Sequence, residues 1–154
     1  MSQTEQATVL RLSRHIDASR EEVFDAWTHP DVLRQWWAAF PTWECTLAEV
    51  DLRPGGRYRL AMHDPESGNT HTVMGEYKEI ERPERLVYTW AWESNEDAMK
   101  GSEDTLVTVE FNEDDGGTEI VLTHSGFATP ELRDQHTHGW IGCLDNLQSR
   151  VFAT

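Results

Sequence analysis

The C-terminal segment carries the pattern that most limits the fold of this chain. From Pro130 onward, mostly apolar side chains recur at spacings of four and three residues, which places them on one stripe of an α-helix. The stripe consists of Leu132, His136, Trp140, Leu144, Leu147 and Val151. One long C-terminal helix is therefore predicted, and we expect a sheet built by the preceding residues to cover its stripe.

The central part of the chain is predicted to be a run of antiparallel strands joined by turns. The clearest strand spans residues 85–93, because large apolar side chains occupy every second position. These side chains are Leu86, Tyr88, Trp90 and Trp92. A hairpin is predicted across residues 114–117, which read Asp-Asp-Gly-Gly. The other strands are expected at residues 8–16, 43–50, 57–63, 70–80, 104–113 and 118–125.

Two short helices are predicted after the first strand. Ser19 and Glu22 have the spacing of a capping box, in which each side chain binds the backbone N–H of the other residue. The first helix should end at His29, because a residue that precedes proline is disfavoured in the α region. Pro30 suits the first turn of the second helix, predicted at residues 31–37.

Size and charge set the organisation and exclude several partners. A chain of 154 residues has the length of one domain, which we expect to span residues 8–154 after a flexible N-terminus, residues 1–7. The net charge of −15 disfavours nucleic acid and anionic membranes as partners. No signal sequence or membrane-spanning run is recognised. Cys45 and Cys143 are expected to be free, buried thiols, so a cytoplasmic location is predicted.

Several segments resemble the SRPBCC superfamily, also called START-like or Bet v 1-like. Within it, the chain is most similar to bacterial homologues of the activator of the 90-kDa heat-shock chaperone's ATPase. The resemblance covers roughly residues 8–152 and includes His136, Gly139 and Trp140. The matching segments are residues 16–19 (IDAS), 23–28 (VFDAWT), 33–37 (LRQWW), 53–58 (RPGGRY), 75–80 (GEYKEI), 83–90 (PERLVYTW) and 123–127 (THSGF).

The resemblance implies an α+β helix-grip fold, in which a curved antiparallel sheet wraps around the long C-terminal helix. It also implies a cavity between the sheet and that helix. Members of the superfamily bind lipids, steroids or aromatic compounds, some are enzymes, and eukaryotic relatives bind a chaperone. The fold alone does not decide among these functions.

An unusual number of large aromatic side chains, among them seven tryptophans, makes ligand contact a reasonable expectation. Each of them also has a simpler interpretation as core packing. Methionines add adaptable lining to such a site. The predicted contacts of this type are Trp36, Trp37, Met62, Met74, Tyr88, Trp90, Trp92, Trp140 and Leu144.

His124 and His136 complete the predicted ligand-binding set, because both fall on inward positions of their elements. They are interpreted either as core histidines, as polar ligand contacts, or as a general base. His136 and His138 are two residues apart and should point to different faces of the helix, whereas metal-binding pairs on helices are usually four apart. No metal site or cofactor is predicted. Glu76 is a candidate only if its strand turns it inward, which the pattern leaves open.

The leading hypothesis is a protein that binds a small hydrophobic or aromatic molecule between the sheet and the C-terminal helix. One alternative is an enzyme of the cyclase, dehydratase or hydrolase type, using His124, His136 or a buried Glu. Another is an interaction module that regulates a chaperone, with the acidic surface steering a basic partner. A second copy of the chain is a further candidate partner. The sequence leaves catalysis open and favours binding without chemistry.

Overall fold

The computed structural model describes residues 8–93 and 105–153. In this part of the chain, one sheet has the strand order β1-β7-β6-β5-β4-β3-β2, and all of its neighbouring strands are antiparallel. The strands are β1 (Val9–Ile16), β2 (Glu44–Val50), β3 (Arg57–His63), β4 (Thr70–Glu81), β5 (Arg85–Trp92), β6 (Thr105–Asp114) and β7 (Gly117–Ser125). The prediction of a flexible N-terminus at residues 1–7 lies outside the described residues.

Three helices accompany the sheet in the described residues: α1 (Arg20–Thr28), α2 (Pro30–Trp36) and α3 (Pro130–Asn146). A π-helical turn, Leu147–Val151, follows α3 directly. The sheet is curved and grips α3, so the predicted α+β helix-grip fold is confirmed. Every helix in these residues is too short or too polar to cross a bilayer.

The local signals at the two short helices are confirmed. The backbone N–H of Glu22 donates to Ser19 Oγ at 3.2 Å, and the Glu22 carboxylate accepts from the backbone N–H of Ser19 at 3.3 Å. His29 has extended backbone angles, φ −93° and ψ 123°, and so ends α1. Pro30 then occupies the first turn of α2, as a residue without an N–H can.

Turns and bulges shape the sheet. Asp115 and Gly116 have φ of 48° and 81°, so a two-residue turn joins β6 to β7 within the predicted hairpin. Register shifts lie between Cys45 and Leu47 in β2 and between Tyr77 and Glu79 in β4. Such bulges bend the strand that carries them, which helps the sheet to curve around the helix.

The phase of β4, which the sequence left open, is now defined. Val73 and Tyr77 are buried on the inner face, toward α3. Met74 lies on the opposite face, where it pairs with Arg59 and Ala91 of the neighbouring strands. Its predicted role as pocket lining is therefore corrected, because alternate residues of a strand point to opposite faces. Glu76 shares this outer face with Met74.

Helix α3 presents its predicted stripe to the sheet. His136, Trp140 and Leu144 are at most 5% exposed. The α-helix ends at Asn146, and the π-helical turn carries the stripe on to Leu147, which is fully buried. The predicted single helix is thus observed as an α-helix with a π-helical end.

Candidate functional site

A pocket of about 520 Å³ lies between the β3–β5 part of the sheet, the middle of α3 and the loop that joins α2 to β2. The sheet contributes Met62, His71, Trp90 and Trp92. The loop contributes Ala39, Phe40 and Trp43. Helix α3 contributes Gln135, His136, His138, Gly139, Trp140 and Cys143. The wall therefore consists mainly of aromatic and small side chains, without Asp, Glu, Lys or Arg among the described residues.

The loop is fastened to the C-terminal end of α3 by two polar side chains. The side-chain amide of Asn146 donates to the carbonyl oxygens of Ala38, at 2.9 Å, and Phe40, at 3.2 Å. The Arg150 guanidinium donates to the carbonyl oxygens of residues 35, 41 and 43. Because carbonyls that these donors bind need no other partner, an irregular segment can lie against the helix. This attachment holds Phe40 and Trp43 at the pocket.

One glycine permits the close contact between loop and helix. A Cβ atom at Gly142 would lie 1.7 Å from the Ala39 carbonyl oxygen, so no other residue fits there without a backbone shift. A Cβ at Gly139, which lines the pocket, would lie 3.8 Å from the Ala39 Cβ, an ordinary contact distance. The two helix glycines therefore have different roles, one in packing and one in leaving space.

His136 pairs with Trp92 across the pocket wall. The indole N–H of Trp92 donates to His136 Nε2 at 2.9 Å, so this nitrogen is the acceptor of a neutral imidazole. His136 Nδ1 then carries the proton and donates to the Leu132 carbonyl oxygen at 2.8 Å. Both ring nitrogens of His136 are consequently occupied.

His124 has the complementary arrangement behind the pocket. The Trp140 indole donates to His124 Nδ1 at 3.1 Å, which assigns the ring proton to Nε2. His124 Nε2 lies 2.6 Å from the hydroxyl of Thr105, which donates to the Trp90 carbonyl oxygen at 3.1 Å. Each group in this series thus donates to the next one, from the Trp140 indole through His124 and Thr105 to the backbone carbonyl of Trp90 in β5.

Burial keeps both histidines neutral. It lowers the pKa of His124 well below the usual 6.5, and the neighbouring His136 lowers it further. Burial also lowers the pKa of His136, against an opposing contribution from the hydrogen bond to Leu132. Neutral rings are what the two indole donors require, because a protonated imidazole has no acceptor nitrogen. The pKa shifts and the hydrogen-bond geometry agree.

Two ring nitrogens of residues that line the pocket have no hydrogen-bond partner in the described part of the chain. They are Trp90 Nε1 and His71 Nδ1, and both atoms are buried. Trp90 is only 5% exposed and lies among aromatic rings, with centroids 5.1 Å from Trp140 and 5.5 Å from Trp92. Buried polar atoms are nearly always hydrogen-bonded, so an unpaired donor in a pocket wall needs an explanation.

The thiol of Cys143, which lines the pocket, is unreactive because it is protonated. Burial raises the pKa of Cys143 to about 12, so the thiol stays protonated at neutral pH. A protonated thiol is a poor nucleophile and a poor metal ligand. In the described residues, no three side chains of His, Cys, Asp or Glu converge as they would around a metal ion.

Beyond Trp140, side chains of α1 and α2 fill the interface between sheet and helix. The Trp27 ring stacks on Trp140 at a centroid distance of 6.1 Å, and its indole N–H donates to the Tyr88 hydroxyl at 3.2 Å. Trp36 packs on Trp27 at 4.9 Å and donates its N–H to the Ala26 carbonyl oxygen at 2.9 Å. The hollow therefore occupies one end of this interface, and the other end is packed.

Comparison with known families gives a match over most of the chain. The profile of the family described as "Activator of Hsp90 ATPase homolog 1-like protein" matches residues 17–151. The chain belongs to this family. It is a family of the SRPBCC superfamily, so the resemblance noted in the sequence is confirmed.

Proteins of known structure that resemble this chain have the same fold. An AHSA1-like protein from Aeromonas hydrophila is 30% identical, with a TM-score of 0.74 over 93% of this chain and 91% of its own. A protein from Chromobacterium violaceum is 25% identical, with a TM-score of 0.80 over 96% of this chain and 99% of its own. Among curated proteins, a search finds no match.

Within this family fold, the predicted ligand-binding residues divide into two groups. Met62, Trp90, Trp92, His136 and Trp140 line the pocket. The other predicted residues lie outside its wall, with Met74 on the outer face of the sheet as described above. Trp36, Trp37, Tyr88, His124 and Leu144 are buried in the core. His136 is buried and His138 is exposed at the rim, so they do point to different faces of α3.

Several wall residues were absent from the prediction. Gln135, Gly139 and Cys143 are spaced by four and form a second stripe beside the predicted one, which the helical period indicates in retrospect. Ala39, Phe40 and Trp43 come from an irregular loop, whose sequence has no period that would place them. His71 required the phase of β4, which the pattern did not give.

Proposed function

We propose that this chain binds a small, neutral, largely apolar molecule in the pocket between β3–β5, α3 and the loop of residues 37–43. The observation that carries the proposal is an aromatic hollow of about 520 Å³ beside a tightly packed core. Small-molecule sites usually have volumes of roughly 300–1,000 Å³, apolar walls and a few polar groups. The pocket has this size and composition, and the ring nitrogens Trp90 Nε1 and His71 Nδ1 are buried without a partner among the described residues.

The geometry gives no support to an acid–base role for His124 or His136. Both nitrogens of each ring are engaged, and both rings accept an indole N–H that a protonated ring would repel. A general base needs a nitrogen within reach of the substrate proton. These histidines instead act as fixed supports for Trp92 and Trp140, which form the wall.

Binding is tested by adding flat aromatic compounds to the purified protein. We expect quenching of tryptophan fluorescence and a higher melting temperature, because a ligand that binds only the native state stabilises it. A ligand present at 100 times its dissociation constant should add about 2.7 kcal/mol to the free energy of unfolding. Failure of a broad library of such compounds to change either signal would remove the proposal.

Two matched variants of α3 test whether the ligand binds in this pocket. Gly139→Leu puts a side chain into the pocket from a position that accepts a Cβ, and it should abolish binding while the fold is kept. Ile141→Phe adds bulk on the same helix at an exposed position outside the pocket wall, and it should bind normally. Equal binding by both variants would place the ligand elsewhere.

The alternative roles remain predictions. A chaperone-regulating role follows from the family description and from the net charge of −15. It predicts a protein partner that is retained at low salt and released at high salt, since screening weakens contacts between surface charges. A cytoplasmic location also stays a prediction.

A further inference from the structure

The unpaired indole of Trp90 is the starting point for a statement about the ligand. Its Nε1 is buried and has no partner among the described residues, although Trp90 belongs to the pocket wall. An indole N–H is only a donor, so its missing partner must be an acceptor. A buried donor that stays unsatisfied is destabilising, and a ligand that supplies the acceptor recovers this loss on binding.

Among the described residues, the acceptor nitrogens of the two histidines that contact Trp90 are already used. His136 Nε2 already accepts from Trp92, and His124 Nδ1 already accepts from Trp140. Thr105, the nearest hydroxyl in this network, is engaged by His124 and by the Trp90 backbone carbonyl. Within the described residues, the indoles of Trp92 and Trp140 are thus paired with histidines, whereas the indole of Trp90 has no partner.

The charge of the wall limits the ligand further. The described wall contains no Asp, Glu, Lys or Arg, and His136 is held neutral by its hydrogen bonds. Transfer of a charged group into such surroundings is costly when no opposite charge compensates it. The fitting compound is therefore uncharged, with a ring system for the aromatic wall and an acceptor atom for the indole.

We infer that the pocket selects neutral, planar ring compounds that carry a carbonyl-type oxygen, and that the Trp90 N–H binds this oxygen. The inference rests on the proposed function and adds to it the chemical class of the ligand and the residue that recognises it. The ring of His71 stacks on Trp43 at 5.6 Å, and its Nδ1 has no partner in the part of the chain that the structure describes. This nitrogen provides a second polar contact that can donate or accept.

The test compares 9-fluorenone with fluorene, two neutral compounds that share a planar ring system and differ by a carbonyl oxygen. Dissociation constants are measured by equilibrium dialysis against the full chain. We expect the protein to bind fluorenone about tenfold more tightly than fluorene, the value of one hydrogen bond to a buried donor. Equal affinities would overturn the inference and leave the proposed function standing, whereas absence of binding by both compounds would overturn both.

Two tryptophan variants assign the preference to one indole. Trp90→Phe keeps an aromatic ring and removes the unpaired N–H, so the preference for fluorenone should fall to about onefold through weaker fluorenone binding. Trp36→Phe is the matched control, because it removes an indole N–H that lies outside the pocket wall and donates to the Ala26 carbonyl oxygen. It should leave the preference near tenfold. A preference that survives in Trp90→Phe, or disappears equally in both variants, would contradict the role of Trp90.

A measurement on the unaltered protein covers the case in which Trp90→Phe does not fold. The assigned indole ¹H signal of Trp90 should move downfield when fluorenone binds, since a new acceptor deshields the proton. Fluorene should produce no downfield shift at this proton. Identical shifts with both compounds would exclude a hydrogen bond between the ligand oxygen and Trp90.

Discussion

The two ends of the space between the sheet and α3 are both rich in tryptophan, yet one is packed and the other is hollow. At the packed end, Trp27 and Trp36 from the short helices fill the space, and each donates its N–H to a protein acceptor. At the hollow end, the described residues that bridge from α2 to the sheet are those of the loop 37–43, and the Trp90 N–H has no partner among the described residues. Aromatic content therefore does not by itself indicate a ligand site, and the proposed function depends on the unpaired donor beside the void.

The largest expected effect is on the free energy of unfolding, which should fall more for a substitution at the packed end than for one at the hollow end. Trp27→Ala should lower the free energy of unfolding by about 3–5 kcal/mol, because it opens a cavity in the packed end. Trp43→Ala, at the half-exposed edge of the pocket, should cost only about 1 kcal/mol. Urea unfolding at 25 °C measures both changes.

Ligand binding should depend more on Trp43, at the hollow end, than on Trp27, at the packed end. Trp43→Ala should weaken binding of fluorene about tenfold through the loss of one aromatic wall, since such contacts contribute on the order of 1 kcal/mol or more. If Trp43→Ala destabilises the protein as much as Trp27→Ala does, the distinction between a packed and a hollow end is wrong.

A smaller effect is expected at the contact between the loop and α3. Gly142→Ala should lower the free energy of unfolding by about 1–3 kcal/mol, because its Cβ would overlap the Ala39 carbonyl oxygen. Gly139→Ala should instead raise it by up to about 1 kcal/mol, since alanine favours the helix and meets only an ordinary contact. Thermal unfolding of both variants provides the measurement, and equal melting temperatures would show that the loop yields to the added methyl group.

His124 and His136, which pair with tryptophans near the pocket, predict that the free energy of unfolding depends on pH. Burial lowers the pKa of His124 and His136 below the usual 6.5, so the unfolded chain takes up protons first as the pH falls. The free energy of unfolding should therefore be highest above pH 6.5 and decrease below it. Urea titrations from pH 7.5 to about pH 5 measure this decrease in the free energy of unfolding. The decrease should be smaller in His136→Gln. An unchanged slope in that variant would mean that His136 does not contribute.

His15 contributes with the opposite sign and provides a control. The carboxylates of Asp17 and Asp114 accept hydrogen bonds from the His15 ring and raise its pKa above 6.5. His15 therefore favours the folded state below pH 6.5, and this contribution is lost as the pH rises through the raised value. His15→Gln should accordingly make the loss of stability in acid steeper. A shallower loss would contradict the assigned pKa direction.

The smallest effect is expected at an exposed ion pair far from the pocket. Arg82 donates two hydrogen bonds of 2.9 Å to the Asp25 carboxylate and thereby lowers the pKa of this carboxyl. Arg82→Gln should shift the urea midpoint only slightly at low salt and still less at high salt, because exposed pairs are screened. Binding of fluorene should not change, and a change would connect the pocket with this distant surface.

Local and periodic features of the fold could be predicted from the sequence. The capping box at Ser19, the boundary at Pro30, the alternation of β5 and the stripe of α3 each depend on nearby residues, and each is confirmed. Met74 was placed on the wrong face, because both faces of β4 carry a mixture of polar and apolar residues and its phase depends on pairing with β3 and β5.

The pocket wall was only partly predictable for a similar reason. Trp90 and Trp140 follow from the periods of their elements, whereas the position of Phe40 and Trp43 depends on hydrogen bonds from Asn146 and Arg150 more than 100 residues away in the chain. Which tryptophan keeps an unpaired N–H depends on three-dimensional pairing with the histidines. No pattern within one strand or one helix contains this information.

The structure of the complex with 9-fluorenone tests the central claim most directly. We expect the compound to lie inside the pocket, with its oxygen about 2.7–3.2 Å from Trp90 Nε1. The indoles of Trp92 and Trp140 should still donate to their histidines. A compound bound on the outer face of the sheet, or a pocket closed by protein side chains in the complex, would contradict it.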